Sequence, residues 1–341
     1  MYQPIKWMAV ALLGALSTTA CSDPGAARQT DAATDASVHG RAQLFVYRGG
    51  GCTGRERMPA FVAMLGRQPD GVIAFAERGS WPAMLNSVRW SMRCWKGAPY
   101  RIAQSVPMLL DNGTSLAEGA AGAYDAQFEE LARILIESGH NDAYLRIGWE
   151  FNGGWYPWAA QKDPEAFKAY FRRIALIFRR AEGAQFKIVW NPARGRQQIA
   201  PDSVYPGDDV VDIVALDLYN QSWRPEDKAD PQVRWRNHVV QPYSLDWLAR
   251  FAALHNKPIA IPEWGTGTSP NGHGMGDDPL FIANMAGWIK ANNVAFTGYW
   301  DYKAGDFDAE LSDGGAPAAA QAFRENFGPH AATNRSGVIP R

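Results

Sequence analysis

The chain has 341 residues, 46% of them hydrophobic and 20% charged, with a formal net charge of -1. At this length roughly three quarters of the unfolded surface is hidden on folding, so a large core forms without covalent staples. The even mixture of 34 basic and 35 acidic residues leaves no electrostatic footprint for phosphate backbones or anionic lipid, which excludes nucleic acid as a partner.

The chain begins MYQPIKWMAVALLGALSTTAC. A lysine, an apolar run from Trp7 to Leu16 and small residues before Cys21 follow the order of an export signal, and the run is too short to span a bilayer. It resembles a bacterial lipoprotein signal in which Cys21 is lipidated, although Thr18 stands where such signals carry Leu or another aliphatic. Ordinary cleavage and retention are the alternatives. Residues 22–40 are small and polar, as in a flexible tether. The expected location is therefore outside the cytoplasm, in the periplasm or cell envelope, with membrane contact only through that lipid anchor. If Cys21 carries lipid, Cys52 and Cys94 remain as an even pair, and an oxidising compartment permits a disulfide; two buried thiols are the alternative.

Beyond the tether, short runs rich in Val, Ile and aromatics recur at 44–47, 71–75, 101–109, 143–149, 186–190, 210–219, 258–264 and 295–300. Longer stretches of helical periodicity separate them. In YDAQFEELARILIESG, Tyr124, Phe128, Leu131 and Leu135 fall at steps of three and four before Gly139. In DPEAFKAYFRRIALIF, Asp163 is placed to cap, Pro164 suits the first helical position, and Phe167, Phe171, Ile174 and Phe178 form one stripe. Eight apolar strands alternating with helices predict an α/β chain folded as a single (β/α)8 TIM barrel over 41–327, with a disordered tail at 328–341. An open doubly wound sheet is the runner-up, but RGGGCTGRE at 48–56 has neither dinucleotide nor Walker spacing. No repeat of solenoid period is present.

In such a barrel, chemistry sits at the carboxyl ends of strands, which selects Glu77, Asp111, Glu150, Asp217, Glu263 and Asp301 from the acids. Glu150 and Glu263 each adjoin a tryptophan, Trp149 and Trp264, and an apolar neighbour raises a carboxyl pKa. A protonated and an ionised carboxyl facing each other across a barrel mouth are what cleavage of a glycosidic bond requires. Sugar rings have apolar C–H faces that stack on indole, and the chain carries 14 tryptophans. Trp149, Trp155, Tyr156 and Trp158 cluster within ten residues of Glu150, and Gly153 and Gly154 let that loop turn. The six histidines are scattered without ligand spacing and no Cys-His pair is evident, so no metal or cofactor is expected. His273, in SPNGHGMGDDP, reads as a turn residue.

RIGWEFNGGWYPW (146–158) resembles the acid/base motif of glycoside hydrolase family 26, with Arg four residues before the Glu and Asn-Gly just after it. KPIAIPEWG (257–265) is similar to the nucleophile strand of that family, IVWNPA (188–193) to its fifth strand and ALDLYN (215–220) to its sixth. MLGRQPDGVIAFAERGSW (64–81) resembles its early segment. The resemblance implies a retaining β-glycosidase that acts as a monomer, with Glu150 as acid/base and Glu263 as nucleophile. It further implies Tyr219 bonded to the nucleophile, Arg146 beneath the pair, Asn152 and Asn191 on sugar hydroxyls, and Trp300 under the sugar at the cleaved bond. Trp149, Trp155, Trp158, Trp190 and Trp264 complete the expected sugar-contacting set. Mannan-cleaving members usually carry His immediately before the acid, where this chain has Trp149. β-1,4-Mannan is the first expectation for substrate; β-1,3-xylan, mixed-linkage β-glucan or an exported polysaccharide are alternatives, as is a carbohydrate-binding lipoprotein without turnover.

Overall fold

The computed structural model describes residues 41–329. The expected signal, the tether, Cys21 and the tail beyond Pro329 lie outside the described residues. Nine parallel strand segments follow in chain order: β1 (Gln43–Tyr47), β2 (Gly71–Phe75), β3 (Arg101–Val106), β4 (Tyr144–Ile147), β5 (Lys187–Trp190), β6 (Ile213–Ala215), β7 (Leu218–Tyr219), β8 (Ile259–Gly265) and β9 (Val294–Trp300). Each of the eight stretches anticipated from the sequence contains a strand, and the sixth is broken into β6 and β7 around Leu216 and Asp217. β1 pairs with both β2 and β9, and β8 with β9 and with both pieces of the sixth strand, so the sheet closes into an eight-stranded barrel.

The helices are α1 (Gly51–Leu65), α2 (Trp81–Trp95), α3 (Leu116–Ala120), α4 (Asp125–Glu137), α5 (Pro164–Arg180), α6 (Pro225–Ala229), α7 (Pro231–Val240), α8 (Leu245–Leu254), α9 (Pro279–Ala291) and α10 (Pro317–Phe327). In α5 the Asp163 carboxylate accepts the Ala166 N–H at 3.0 Å, Pro164 opens the helix, and Phe167, Phe171, Ile174 and Phe178 are all buried. Cap, proline and stripe thus act together to set where α5 starts and which face it buries. Cys52 on α1 and Cys94 on α2 form a disulfide with Cα atoms 4.9 Å apart.

Strand parity divides the core in two. Phe45, Ile73, Ala103, Tyr144, Val189, Ile213, Ala215, Ala260 and Phe296 fill the barrel interior. Their strand neighbours Leu44, Val46, Val72, Ile102, Leu145, Ile188, Val214, Ile259 and Ile261 face the helices, as the period of two requires. Continued upward, the same parity brings Arg146, Asn191, Asp217 and Tyr219 into the mouth. β8 departs from it. Ile261 pairs with Thr297 and Trp264 with Tyr299, three steps against two, so β8 carries an extra residue at Pro262–Glu263. Such a bulge reverses which face the following side chains take. It turns Glu263 inward and Trp264 outward. Opposite it stands Gly298, where a Cβ would lie 2.1 Å from the Pro262 carbonyl oxygen; only glycine admits the bulge.

Candidate active site

Arg146, on β4, is fully buried and is the hub of the mouth. Its Nη2 donates to Glu263 Oε1 at 2.5 Å and to Asp217 Oδ2 at 2.7 Å, its Nε to Asn191 Oδ1 at 2.7 Å, and its Nη1 to Ser105 Oγ at 2.8 Å. A guanidinium this far from water requires such pairing, and the fixed fork in turn fixes the carboxylates. Asp217 also accepts the backbone N–H of Glu263 at 3.0 Å, which pins the bulge. The Tyr219 hydroxyl donates to Glu263 Oε2 at 3.0 Å. Burial and the charge on Glu263 push that hydroxyl well above its usual range, so it keeps the proton it donates. Glu263 is thereby held on both oxygens by hydrogen-bond donors.

Glu150 follows the end of β4 in the left-handed region, with φ 54°, two residues after Gly148, also at φ 54°. That conformation costs a non-glycine residue about 1–2 kcal/mol. It is held by the Glu150 N–H donating to the Asn191 carbonyl at 2.7 Å, while the Glu150 carbonyl accepts from the Gly153 N–H at 3.0 Å. No cation pairs directly with its carboxylate among the described residues, and Oε2 accepts the Trp155 indole N–H at 2.8 Å. Burial, and next the charge on Glu263, raise its pKa to about 8, against the opposing effects of Trp155 and Arg146. The mouth therefore holds one carboxyl that keeps a proton at neutral pH beside another clamped by a guanidinium and a phenol. Around it stand Trp300, stacked on Tyr47 at 4.3 Å, with Phe75 and Tyr219 edge-on to its ring. Among the described residues no group of His, Cys, Asp or Glu is placed to hold a metal ion.

Residues 131–253 match the model of glycosyl hydrolase family 26. Over that segment, a little over a third of the chain, it is similar to glycosyl hydrolase family 26. Curated relatives include endoglucanase H of Acetivibrio thermocellus, 28% identical over 61% of this chain and 22% of that protein, and a β-1,3-xylanase of an Alcaligenes species, 28% identical over 46% and 29%. A mannan endo-1,4-β-mannosidase of Bifidobacterium adolescentis is 25% identical over 52% of the chain and 18% of its own length. The chain spans less than a third of the length of these curated relatives. In fold it is similar to an endo-β-1,4-mannanase double mutant of Cellulomonas fimi (TM-score 0.59, 19% identity, 83% of this chain and 71% of that one). It is likewise similar to a family-26 β-mannanase of Bacteroides ovatus (TM-score 0.56, 15% identity, 84% and 88%).

Of the residues expected to contact sugar, the structure places Trp155, Tyr219 and Trp300 at the mouth with exposed surface, together with Glu150 and Glu263. Six are corrected. Asn191 shows no surface and lies beneath the carboxylates beside Arg146, which the resemblance implied in that place. Asn152 is fully buried, its amide clamping the Ala193 backbone by two bonds of 2.8 Å. Trp158 is fully buried and donates to the Trp149 carbonyl. Trp149, 2% exposed, packs on Phe75 and Trp158 and donates to the Tyr156 hydroxyl at 3.0 Å. Trp190 packs against Phe251 of α8, and Trp264 against Tyr299 and against Phe323 of α10, on the helix side of the barrel. Trp264 therefore does not lower the dielectric around Glu263.

Of the remaining strand-end acids, Asp301 is a buried partner of Arg48 and Asp111 an exposed partner of Arg78. Sequence reasoning ranked Asp217 with those acids and passed over Ser105, Tyr47 and Phe75, which strand parity identifies. Gly153 is needed for packing: a Cβ there would lie 2.3 Å from the Trp155 ring.

Proposed function

We propose that the chain is a retaining endo-β-glycosidase in which Glu150 is the general acid/base and Glu263 the nucleophile. The observation that carries this reading is the opposite treatment of the two carboxyls: Glu150 is half-buried, has no cationic partner among the described residues and has its pKa raised to about 8, whereas Glu263 is bonded by Arg146 and Tyr219. In the first step a Glu263 oxygen attacks the anomeric carbon while Glu150 gives its proton to the departing glycosidic oxygen. Glu150, now ionised, then takes a proton from water, and that water oxygen displaces Glu263, restoring both groups. Retention calls for carboxyls about 5–5.5 Å apart. The indole of Trp300, floored by Tyr47, offers the sugar a stacking face beside Glu263.

β-1,4-Mannan is the first substrate to try, with β-1,3-xylan and β-glucan next, since relatives bear mannosidase, xylanase and endoglucanase names. Export to the periplasm or envelope with a lipid on Cys21 belongs to the same proposal, and the Cys52–Cys94 disulfide supports it, because such bonds persist in oxidising compartments. The test is leaving-group dependence. Glu150→Ala should lose most activity on polysaccharide but hydrolyse dinitrophenyl glycosides, which need little protonation, while Glu263→Ala should be inactive on both. Equal losses on good and poor leaving groups in Glu150→Ala would reverse the assignment, and release of the inverted anomer would exclude the covalent step.

A further inference from the structure

Arg194 lies just beyond β5 on the same rim of the barrel, its N–H bonded to the Asp217 carbonyl at 3.0 Å. Its side chain is half-buried, and its one side-chain hydrogen bond among the described residues is a long one, 3.4 Å from Nη2 to the Gln221 carbonyl. Among the described residues every other buried or half-buried arginine has a carboxylate within 4.0 Å. Arg194 has none. Asp227, whose charge it feels, is itself buried and occupied by the Ser222 hydroxyl and the Asn237 amide. Burial accordingly pushes the Arg194 guanidinium down to about 10. A desolvated cation without a counter-charge is unfavourable for folding alone.

The loop whose carbonyl Arg194 holds begins at Tyr219, the residue bonded to Glu263, and two residues past Gln221 it carries Trp223. Those two residues span at most about 7 Å of chain. Trp223 is 63% exposed, yet it is not loose. Its ring stacks on His273 at 4.8 Å, and the two loops are tied by the Ser222 N–H donating to the His273 carbonyl at 3.0 Å and by the His273 ring against the Ser222 carbonyl at 3.2 Å. An exposed aromatic face tied to a neighbouring loop, two residues along the chain from the carbonyl that a guanidinium without a carboxylate partner reaches, supplies the two elements that recognise a charged sugar: a stacking surface and a fork for an oxyanion.

We propose that this corner of the barrel mouth is a subsite for an anionic sugar residue of the polysaccharide, a carboxylate or sulfate ester pairing with Arg194 while the ring lies on Trp223. The inference rests on the hydrolase reading and narrows it to acidic glycans. The test measures binding, so that it does not depend on turnover. Three probes, a neutral β-1,4-gluco-oligosaccharide, its C6-oxidised form and its 6-O-sulfated form, are titrated by calorimetry against the full chain carrying Glu150→Gln. At least one anionic form should bind about tenfold more tightly than the neutral one, the preference shrinking with added salt. The comparison of the two forms tells carboxylate from sulfate. Arg194→Gln should bring the ratio of anionic to neutral affinity close to one, with the melting temperature as a control for folding; should that variant fail to fold, the salt dependence of the unsubstituted site carries the test. Equal binding of neutral and anionic forms, or a preference that survives Arg194→Gln or high salt, overturns the subsite. Failure of all three probes, of neutral mannan and of β-1,3-xylan to bind overturns the hydrolase reading itself.

Discussion

Replacing Trp155 by Phe removes the indole N–H that Glu150 Oε2 accepts at 2.8 Å while leaving an aromatic ring over Gly153. The bond favours the ionised carboxylate, so its loss makes Glu150 hold its proton more tightly. With a pKa of about 8, roughly nine-tenths of the enzyme carries that proton at pH 7; a carboxyl at its ordinary value of about 4.5 would carry it in roughly 0.3%. Burial and the charge on Glu263 thus raise the competent fraction about 300-fold. The unmodified chain should therefore show a basic limb in kcat/KM near pH 8 on substrates with poor leaving groups, falling about tenfold per pH unit beyond it. A hydrogen bond to a charged group contributes about 1.5–3 kcal/mol; with Trp155 half in solvent, about 1 kcal/mol is a fair discount, which moves the limb of Trp155→Phe upward by somewhat under one pH unit. Initial rates from pH 5 to 10, with a dinitrophenyl glycoside as the control whose basic limb should be absent, measure both. A limb at pH 6 or below, or one that moves downward in Trp155→Phe, would refute the account of how Glu150 keeps its proton.

Tyr219→Phe deletes the donor to Glu263 Oε2 and should lower kcat by roughly 10- to 100-fold, the equivalent of about 1.5–3 kcal/mol, with an unaltered melting temperature; an unchanged kcat would mean that the phenol does not help to hold the nucleophile. Arg146→Met strands Asp217 and Glu263 in a buried mouth, so urea unfolding should show a loss of about 3–5 kcal/mol, and a midpoint equal to that of the parent would count against the ion-pair hub. The Cys52–Cys94 bond joins residues 42 apart in sequence, for which the chain-entropy model gives about 4 kcal/mol as an upper bound; reduction under mild denaturant should lower the melting temperature by several degrees, and Cys52→Ser should be insensitive to reductant.

The barrel was legible because apolar runs of strand length alternate with amphipathic helices, and the two glutamates because each ends such a run. Trp190 and Trp264 were misjudged for a reason the strands make plain. Adjacent residues on a strand face opposite sides, so a tryptophan next to Asn191 or Glu263 in sequence, Trp190 or Trp264, belongs to the helix layer. Counting tryptophans near an acid ignores that parity, whereas applying it from Phe45 and Ile73 upward leads to Tyr47 and Phe75, which do border the mouth.

Parity alone, however, would have sent Glu263 outward, since Ala260 faces in and three single steps reverse the side. The extra residue in β8 restores it, and its signals are small ones: Pro262, which cannot donate to a sheet ladder, inside the strand, and Gly298 in the strand opposite. The left-handed Glu150, in the turn just after β4, is a second local irregularity. Both carboxylates thus stand where a local rule of backbone geometry is broken, and each break is held in place by bonds to the other strands of the site: Glu263 N–H to Asp217 and Glu150 N–H to Asn191. A chain folded for stability alone has no need of either irregularity, so their coincidence at one mouth, joined through Arg146, is itself an argument that the mouth is where this chain works.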